Sequence, residues 1–484
     1  MASRYAAFPA AVIYKTKTLQ TPCQHLLWGD EVEVEADDGK VAKVVGRKVA
    51  GYMSSKDLDS YGCLQITFVD IGQGDGAFLT MPNGQHMLVD AGQGDNMKRF
   101  LRWRFDNFKT KVAFESAVIS HSDEDHYGGF DDLFDENLSI GTLYHNGLVE
   151  RAGDNPVGAR STTKPSLVTE LIATKTELEK LLKKPGTVGK KVYPKLLAKG
   201  LAKNIFGKFQ SLSVKDRYLP GYGPGDAVQI EVLGPVSETI EGKTGLRWLG
   251  DLGKTKNGHS VVLRLTYGGV RILLGGDLNI PSENLLMGYH TGLPAPARSA
   301  DEHTRLVATA RKKLQVDIAK ACHHGSADVS LDFLRATNPV ATVISSGDDE
   351  PHAHPRAEAL GAIGACSRGP RPLIFSTELA RSAPELIKHP KVLKARLYEL
   401  PPLIAGTTDT KLKAKLEKEY QELLGSIDRS VAVFGAINLR TDGKRVVMGY
   451  KIEKPKFQDR KWDLYTLIPD ETGELRYESK YDTE

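Results

Sequence analysis

Between Ser120 and Gly129 the chain reads Ser-His-Ser-Asp-Glu-Asp-His-Tyr-Gly-Gly. Four side chains that can bind metals, His121, Asp123, Asp125 and His126, fall within six residues. Imidazole and carboxylate are ligands for hard-to-borderline divalent cations. The apolar run Ala117-Val118-Ile119 leads into them, so a buried strand would deliver all four to one small volume. Left alone, two buried carboxylates repel each other and are costly to desolvate; a bound cation removes that cost. An isolated Asp-Glu-Asp run is ordinarily a solvated turn. The strand before this one and the glycine pair after it set it apart. The spacing predicts a metal site, and one for two ions.

Other residues of the right chemistry stand behind apolar runs elsewhere. Asp277 follows Leu273-Leu274-Gly275-Gly276 and is placed to reach the site from a neighbouring strand end, where a third carboxylate can bridge two ions. Asp90, after Leu88-Val89, is suited to hold a ligand histidine by a hydrogen bond. His323 and His324 lie side by side. In an extended segment adjacent side chains point to opposite faces, so one is expected in the site, and the sequence leaves open which. His354 precedes Pro355, which favours an extended backbone, and is a candidate to contact a substrate phosphate or donate a proton. Lys320 is a candidate to neutralise an anionic substrate, and Asp125 is counted with the catalytic residues as well as the ligands.

The rest of the chain bounds the reading. Its 484 residues allow two to four domains, and 40% hydrophobic with 26% charged residues is an ordinary balance for a folded soluble protein. The formal net charge of +4 says little, but residues 151–220 carry 15 Lys/Arg against 5 Asp/Glu. Cys23, Cys63, Cys322 and Cys366 form no Cys-x-x-Cys pair, which argues against a zinc ribbon and for a reducing compartment. No apolar run approaches the ~20 residues of a membrane helix. The expected location is cytoplasmic, with no membrane partner.

The elements that must position these groups can be read in outline. Alternation in Glu31–Glu35, Val41–Val45 and Val49–Met53, with glycine turns between, predicts a small β-domain over residues 1–60. Trp28-Gly29-Asp30-Glu31-Val32 and the closing Gly51-Tyr52-Met53-Ser54-Ser55 resemble bacterial SH3 domains, which implies a small barrel that binds a protein partner. From residue 61 to 380, strands followed by helices predict an α/β sandwich. Residues 157–220 read as a Lys-rich helical insertion, and 381–484 as a C-terminal α+β extension with a helix near 411–424 and a hairpin turning at Thr441-Asp442-Gly443-Lys444.

The order of motifs from Phe68 to about Gly364 resembles the metallo-β-lactamase superfamily, and within it the hydrolase domain attached to the ComEC-type DNA-uptake channel. The match runs through Phe68-Val69-Asp70-Ile71-Gly72-Gln73-Gly74-Asp75-Gly76, Leu88-Val89-Asp90-Ala91-Gly92, the His121–His126 loop, Asn257-Gly258-His259-Ser260, Gly275-Gly276-Asp277, Lys320-Ala321-Cys322-His323-His324-Gly325-Ser326 and Ala353-His354-Pro355. The resemblance implies an αββα sandwich. It also implies two divalent ions, one held by His121 and Asp123 and the other by Asp125 and His126, with Asp277 between them. Many members carry histidine where Asp123 stands, and another before the bridging aspartate. Here that second place falls to Asn257, His259 or Ser260, so Asn257 and Ser260 join Asp90 as supporting residues. Carboxylate in place of imidazole favours Mn²⁺ or Mg²⁺ relative to a His-rich zinc site, and leaves zinc open.

A two-metal centre lowers the pKa of bound water towards ~7, so the expected reaction is hydrolysis with no side-chain nucleophile. The branch resemblance implies a phosphodiester substrate, with DNA favoured, and the Lys-rich segment would suit an anionic polymer. Two alternatives are a small-molecule hydrolase acting on a cyclic nucleotide or lactone, and a binding protein with a degenerate hydrolase core.

Overall fold

Short strands that are buried throughout, such as Leu64–Phe68, Ala77–Thr80 and Ala341–Ile344, or that alternate buried and half-buried residues, such as Val228–Gly234, pair to build two large sheets. In a computed structural model, residues 2–347, 352–377, 390–429, 435–452 and 461–479 are described. The first large sheet has ten strands. From one edge they run Phe206–Ser211, Leu138–His145, Val112–Val118, His86–Val89, Ala77–Thr80, Leu64–Phe68, Ile437–Thr441, Val446–Lys451, Trp462–Pro469 and Leu475–Glu478. The second has six, in the order Val228–Gly234, Val262–Tyr267, Val270–Leu274, Ile318–Lys320, Ala341–Ile344 and Leu373–Ser376.

The two sheets close on one apolar interior, in which Ile66, Leu79 and Ile437 of the first meet Leu265, Ile272 and Val343 of the second. The outer face of the first sheet is covered by helices, with Phe100, Phe130 and Leu197 packed on Phe114 and Leu143. The outer face of the second is covered by Leu286, Leu306 and Phe333 from the helices Ile280–Thr291, Ala300–Leu314 and Leu331–Thr337. These layers form a helix–sheet–sheet–helix sandwich, as the sequence pattern predicts.

Two expectations about the sandwich change. The segment 157–220 does contain the helices Lys175–Lys183 and Val192–Ala202, but it ends in Phe206–Ser211, which pairs in parallel with Leu138–His145 as an edge strand of the core sheet. Tyr193, Phe206 and Phe209 are buried anchors. The hairpin Ile437–Thr441 and Val446–Lys451 is not appended outside the sandwich: Ile437 to Thr441 pair antiparallel with Phe68 to Leu64. Other parts of the expected C-terminal extension, at 381–389, 430–434, 453–460 and 480–484, lie outside the described residues.

The N-terminal strands form a separate antiparallel sheet of seven, from Pro22–Leu27 at one edge to Leu58–Asp59 at the other. The strands expected at 31–35, 41–45 and 49–53 are present as a meander, spanning Glu31–Asp37, Val41–Gly46 and Val49–Ser54. The two outer strands do not pair with each other, so hydrogen bonding closes no barrel among the described residues. Leu27, Trp28 and Cys63 join Val447 in one apolar cluster, which docks this sheet on the C-terminal hairpin.

Candidate metal centre

Strand register brings the candidate ligands to one edge of the sandwich. His86–Val89 and Val112–Val118 run parallel with Val89 opposite Val118, so Asp90 and the loop from Ile119 leave the sheet together. The Asp90 carboxylate then accepts the Ser120 backbone N–H at 2.7 Å. In the second sheet Leu273 lies opposite Ala319 in parallel strands, so Asp277 and the His323-His324 turn also emerge at one end. Two glycines permit the close approach of these loops. A Cβ on Gly74 (φ +105°) would fall 1.7 Å from the Asp125 carbonyl oxygen, and one on Gly276 (φ +57°) would fall 2.6 Å from Ser260 Cβ.

Three imidazoles converge on one carboxylate oxygen. His126 Nε2 and His324 Nε2 each lie 3.2 Å from Asp277 Oδ2, and His121 Nε2 lies 4.0 Å from it. Every Nδ1 is turned the other way, towards protein. That of His126 donates to Asp90 Oδ2 at 2.8 Å, that of His324 donates to the Ser345 carbonyl at 3.1 Å, and that of His121 lies 3.1 Å from Ser120 Oγ and 3.3 Å from Ser260 Oγ. Such partners fix the tautomer and leave the Nε2 lone pairs facing inward, as in histidines that bind metals. Asp125 Oδ2 approaches His324 Nε2 at 3.5 Å, and Asp123 Oδ2 approaches His121 Nε2 at 3.7 Å. The buried His121 Nε2 and Asp277 Oδ1 have no hydrogen-bond partner among the described residues. A divalent cation is the group that such donors fit.

The charges are arranged accordingly. Burial disfavours the imidazolium forms of His126 and His324, but facing carboxylates, Asp277 foremost, outweigh it and hold both well above the ordinary histidine value. Burial opposes the charge on Asp277 too, and His126 and His324 outweigh it, holding the carboxyl well below its usual range. Asp123 is lowered to about 2 against the cost of burial, by His121 and Lys256. Protons therefore occupy places between imidazole and carboxylate that a cation would take over, and binding would release them.

Most sequence-derived candidates meet here, and a few do not. His121, Asp123, Asp125, His126, Asp277 and His324 surround the common point, with Asp90 and Ser260 behind them. Ser260 Oγ accepts the Asp277 backbone N–H at 3.0 Å and donates to the Asn257 carbonyl at 2.7 Å. One terminal atom of the Asn257 amide lies 2.6 Å from Asp123 Oδ2, a contact that hydrogen-bonding chemistry assigns to its nitrogen. His259 points away: it is fully buried and its Nε2 donates to the Arg247 carbonyl at 2.6 Å. The His323-His324 step is not extended. Both residues are left-handed (φ 50° and 53°) within the turn Cys322–Gly325, which sends His324 inward and leaves His323 at the mouth.

Lys320 departs from the expected role. It is buried, donates to the Gly276 carbonyl at 3.1 Å, pairs with Asp75 and lies 3.7 Å from Asp277 Oδ1. It faces away from the open cleft, which is instead lined by His323, His352, His354, Gln73, Gln93 and the ligand carboxylates, around a space of about 400 Å³.

Asp75, Lys256 and Ser120 were absent from the sequence-derived set. Asp75, His126, Asp277 and His324 offer ligand atoms within 4.8 Å of one another. Asp75 nevertheless approaches His324 on its Nδ1 side, at 3.2 Å, and pairs with Lys320, so its geometry suits orientation rather than ligation. Lys256 pairs with Asp123 and lies 3.3 Å from Glu150 Oε1. An aspartate inside a glycine-rich turn after a buried strand was the available signal for Asp75.

The sequence profile described as "Metallo-beta-lactamase superfamily" matches residues 70–326, more than half of the chain and every ligand above. The chain belongs to this superfamily. It is also similar to ComE operon protein 3 of Bacillus subtilis (strain 168), 22% identical over 321 residues, an alignment covering 62% of this chain and 31% of that protein. The chain thus spans about a third of that relative's length. The buried Asp/His cluster that could hold a metal ion lies within the matched region.

Proposed function

We propose that the protein is a metal-dependent phosphodiesterase, acting on nucleic acid through a dinuclear centre. The observation that carries this reading is the convergence of three Nε2 atoms on Asp277, with Asp123 and Asp125 beside them and every Nδ1 engaged behind them. One ion would sit with Asp125, His126 and His324, and the other with His121 and Asp123, with Asp277 shared. Mn²⁺ or Zn²⁺ suits this mixed donor set, and Mg²⁺ is the next choice. Once bound, such a pair supplies Lewis acidity and an activated water.

The chain's own residues do the rest. Asp90, Ser120 and Ser345 hold the imidazoles in the required tautomer. Asp75 and Lys320 brace the His324 and Asp277 side from within. His323, His352 and His354 line the open side, where a phosphate oxygen or a leaving group would lie. The cleft is polar, which favours a phosphodiester over the lactone alternative. Support for a polymer comes from the Lys-rich segment, where Lys199 and Lys203 are spent on Asp131 and Asp135 but Lys180, Lys183 and Lys208 make no ion pair among the described residues. We further propose that residues 1–60 are an SH3-like module for a protein partner, that 61–380 together with the C-terminal strands that complete its sheet forms the catalytic domain, and that the protein works in the cytoplasm. No helix among the described residues is long and apolar enough to cross a membrane, and all four cysteines are free thiols.

The test is cleavage of single- and double-stranded DNA and of a chromogenic phosphodiester with Mn²⁺, beside Asp125→Ala. Cleavage lost in the variant supports the reading. No cleavage by the parent, or equal cleavage by both, overturns it.

A further inference from the structure

A second charged cluster lies where the N-terminal sheet meets the helix Asn96–Arg104 and the C-terminal strands. Arg47, Arg104, Arg440 and Lys451 line one cavity there, together with Trp103 and Trp462. Asp30 is the buried carboxylate among them. It lies 2.7 Å from Arg47 and 3.8 Å from Arg440, and its other oxygen is taken by the Leu27 backbone N–H. Arg104 and Lys451 have no ion pair among the described residues, and Glu31, the next carboxylate to influence Arg104, is exposed. Positive charge is therefore in excess in a place where water is scarce.

The donors are also short of acceptors. Arg440 is 3% exposed, yet its Nε has no hydrogen-bond partner among the described residues; the buried Arg47 Nε and Trp462 Nε1 atoms likewise have none there. Buried N–H groups are rarely left in this state. The free space they line is about 20 Å³, room for one occupant of the size of a water molecule. A water would accept from the donors but leave the charge uncompensated. An anion answers both needs. Consistent with an unfilled demand for negative charge, burial and the neighbouring Arg47 push the Arg104 guanidinium down to about 10, and the same two causes lower Lys451.

We propose that this cavity binds one small inorganic anion, of the size of chloride, and that the anion clamps the N-terminal sheet to the C-terminal strands of the sandwich. Its contacts would come from three parts of the chain distant in sequence: Arg47 after the strand Val41–Gly46, Arg104 at the end of a core helix, and Arg440 with Trp462 on the last strands. The site is independent of the metal chemistry.

The full chain, exchanged into sodium gluconate, is followed by thermal unfolding while chloride, bromide or phosphate replaces gluconate at constant ionic strength. A saturable rise of about 2 °C or more is expected with either halide. Trp462→Phe, which keeps the ring and removes the donor, and Arg104→Gln should each lose at least half of that rise, while the exposed-surface control Lys180→Gln keeps it. Crystals grown in bromide should show an anomalous peak within hydrogen-bond reach of Arg440 Nε. Equal responses to gluconate and halide, a full halide response in both cavity variants, or no bromide peak would overturn the proposal. A rise given by phosphate and not by halide would overturn the assigned occupant.

Discussion

The two sides of Asp277 are built differently. On the inner side His126 and His324 are buried, each backed by a carboxylate or carbonyl, with Asp75 and Lys320 behind them. On the outer side His121 is backed only by serine hydroxyls, and Asp123 is a quarter exposed and already paired with Lys256. Imidazoles already fixed through Nδ1 need only release a proton to a cation, with little reorganisation, whereas a carboxylate shared with an ammonium must first displace that side chain. The comparison teaches that a family ligand pattern can be complete and still unequal: the inner position should fill first and the outer position more weakly.

Asp277→Asn should break both sides. Activity should fall to background and bound metal to one ion or fewer per chain, measured by elemental analysis after gel filtration. Asp90→Asn acts on the inner side alone. It should cost about 10- to 100-fold in metal affinity or activity, by loosening the His126 tautomer, and isothermal titration should show the loss in the tighter of two binding events. Lys256→Gln sharpens the contrast from the other side. Removing the ammonium that competes for Asp123 should tighten the weaker event by roughly tenfold, the equivalent of ~1.4 kcal/mol, and leave the tighter one in place.

Glu283→Gln should leave the activity alone and change stability. This residue is fully buried on the helix Ile280–Thr291; burial pushes its carboxyl up to about 8, although the Ser330 backbone N–H at 2.6 Å opposes the shift. The folded form therefore holds a proton that the unfolded form gives up near 4.5. Its stabilising contribution is complete below that value, shrinks as the pH rises, and is gone above about 8. The slope is at most about 1.4 kcal/mol per pH unit. Urea unfolding at about pH 6 and about pH 8 should show the parent losing stability over that interval and the variant losing less.

What the sequence disclosed depended on how local the signal was. The loop His121–His126 was legible because a single strand end carries four ligands, and the sandwich was legible because its strands are short and bounded by turns. Asp75 was not, because its meaning depends on the glycine turn folding against Asp125 and reaching His324 and Lys320 from far along the chain. Lys320 reads from the sequence as a partner for an anionic substrate because sequence gives polarity and not burial; the same chemistry turned inward makes it a brace. The His323-His324 step was read as extended, when a left-handed pair resolves which of them enters the cluster. The strand Phe206–Ser211 escaped because its buried residues, Phe206 and Phe209, are three apart, a spacing that argues for a helix. Likewise the tie between Ile437–Thr441 and Leu64–Phe68 spans almost the whole chain, and no local pattern announces it.

The most direct measurement is the anomalous difference density of crystals loaded with Mn²⁺. Two peaks on opposite sides of Asp277 are predicted, one among Asp125, His126 and His324 and a weaker one between His121 and Asp123. A single peak on the Asp75 side of His324, or none in the cluster, would contradict the account.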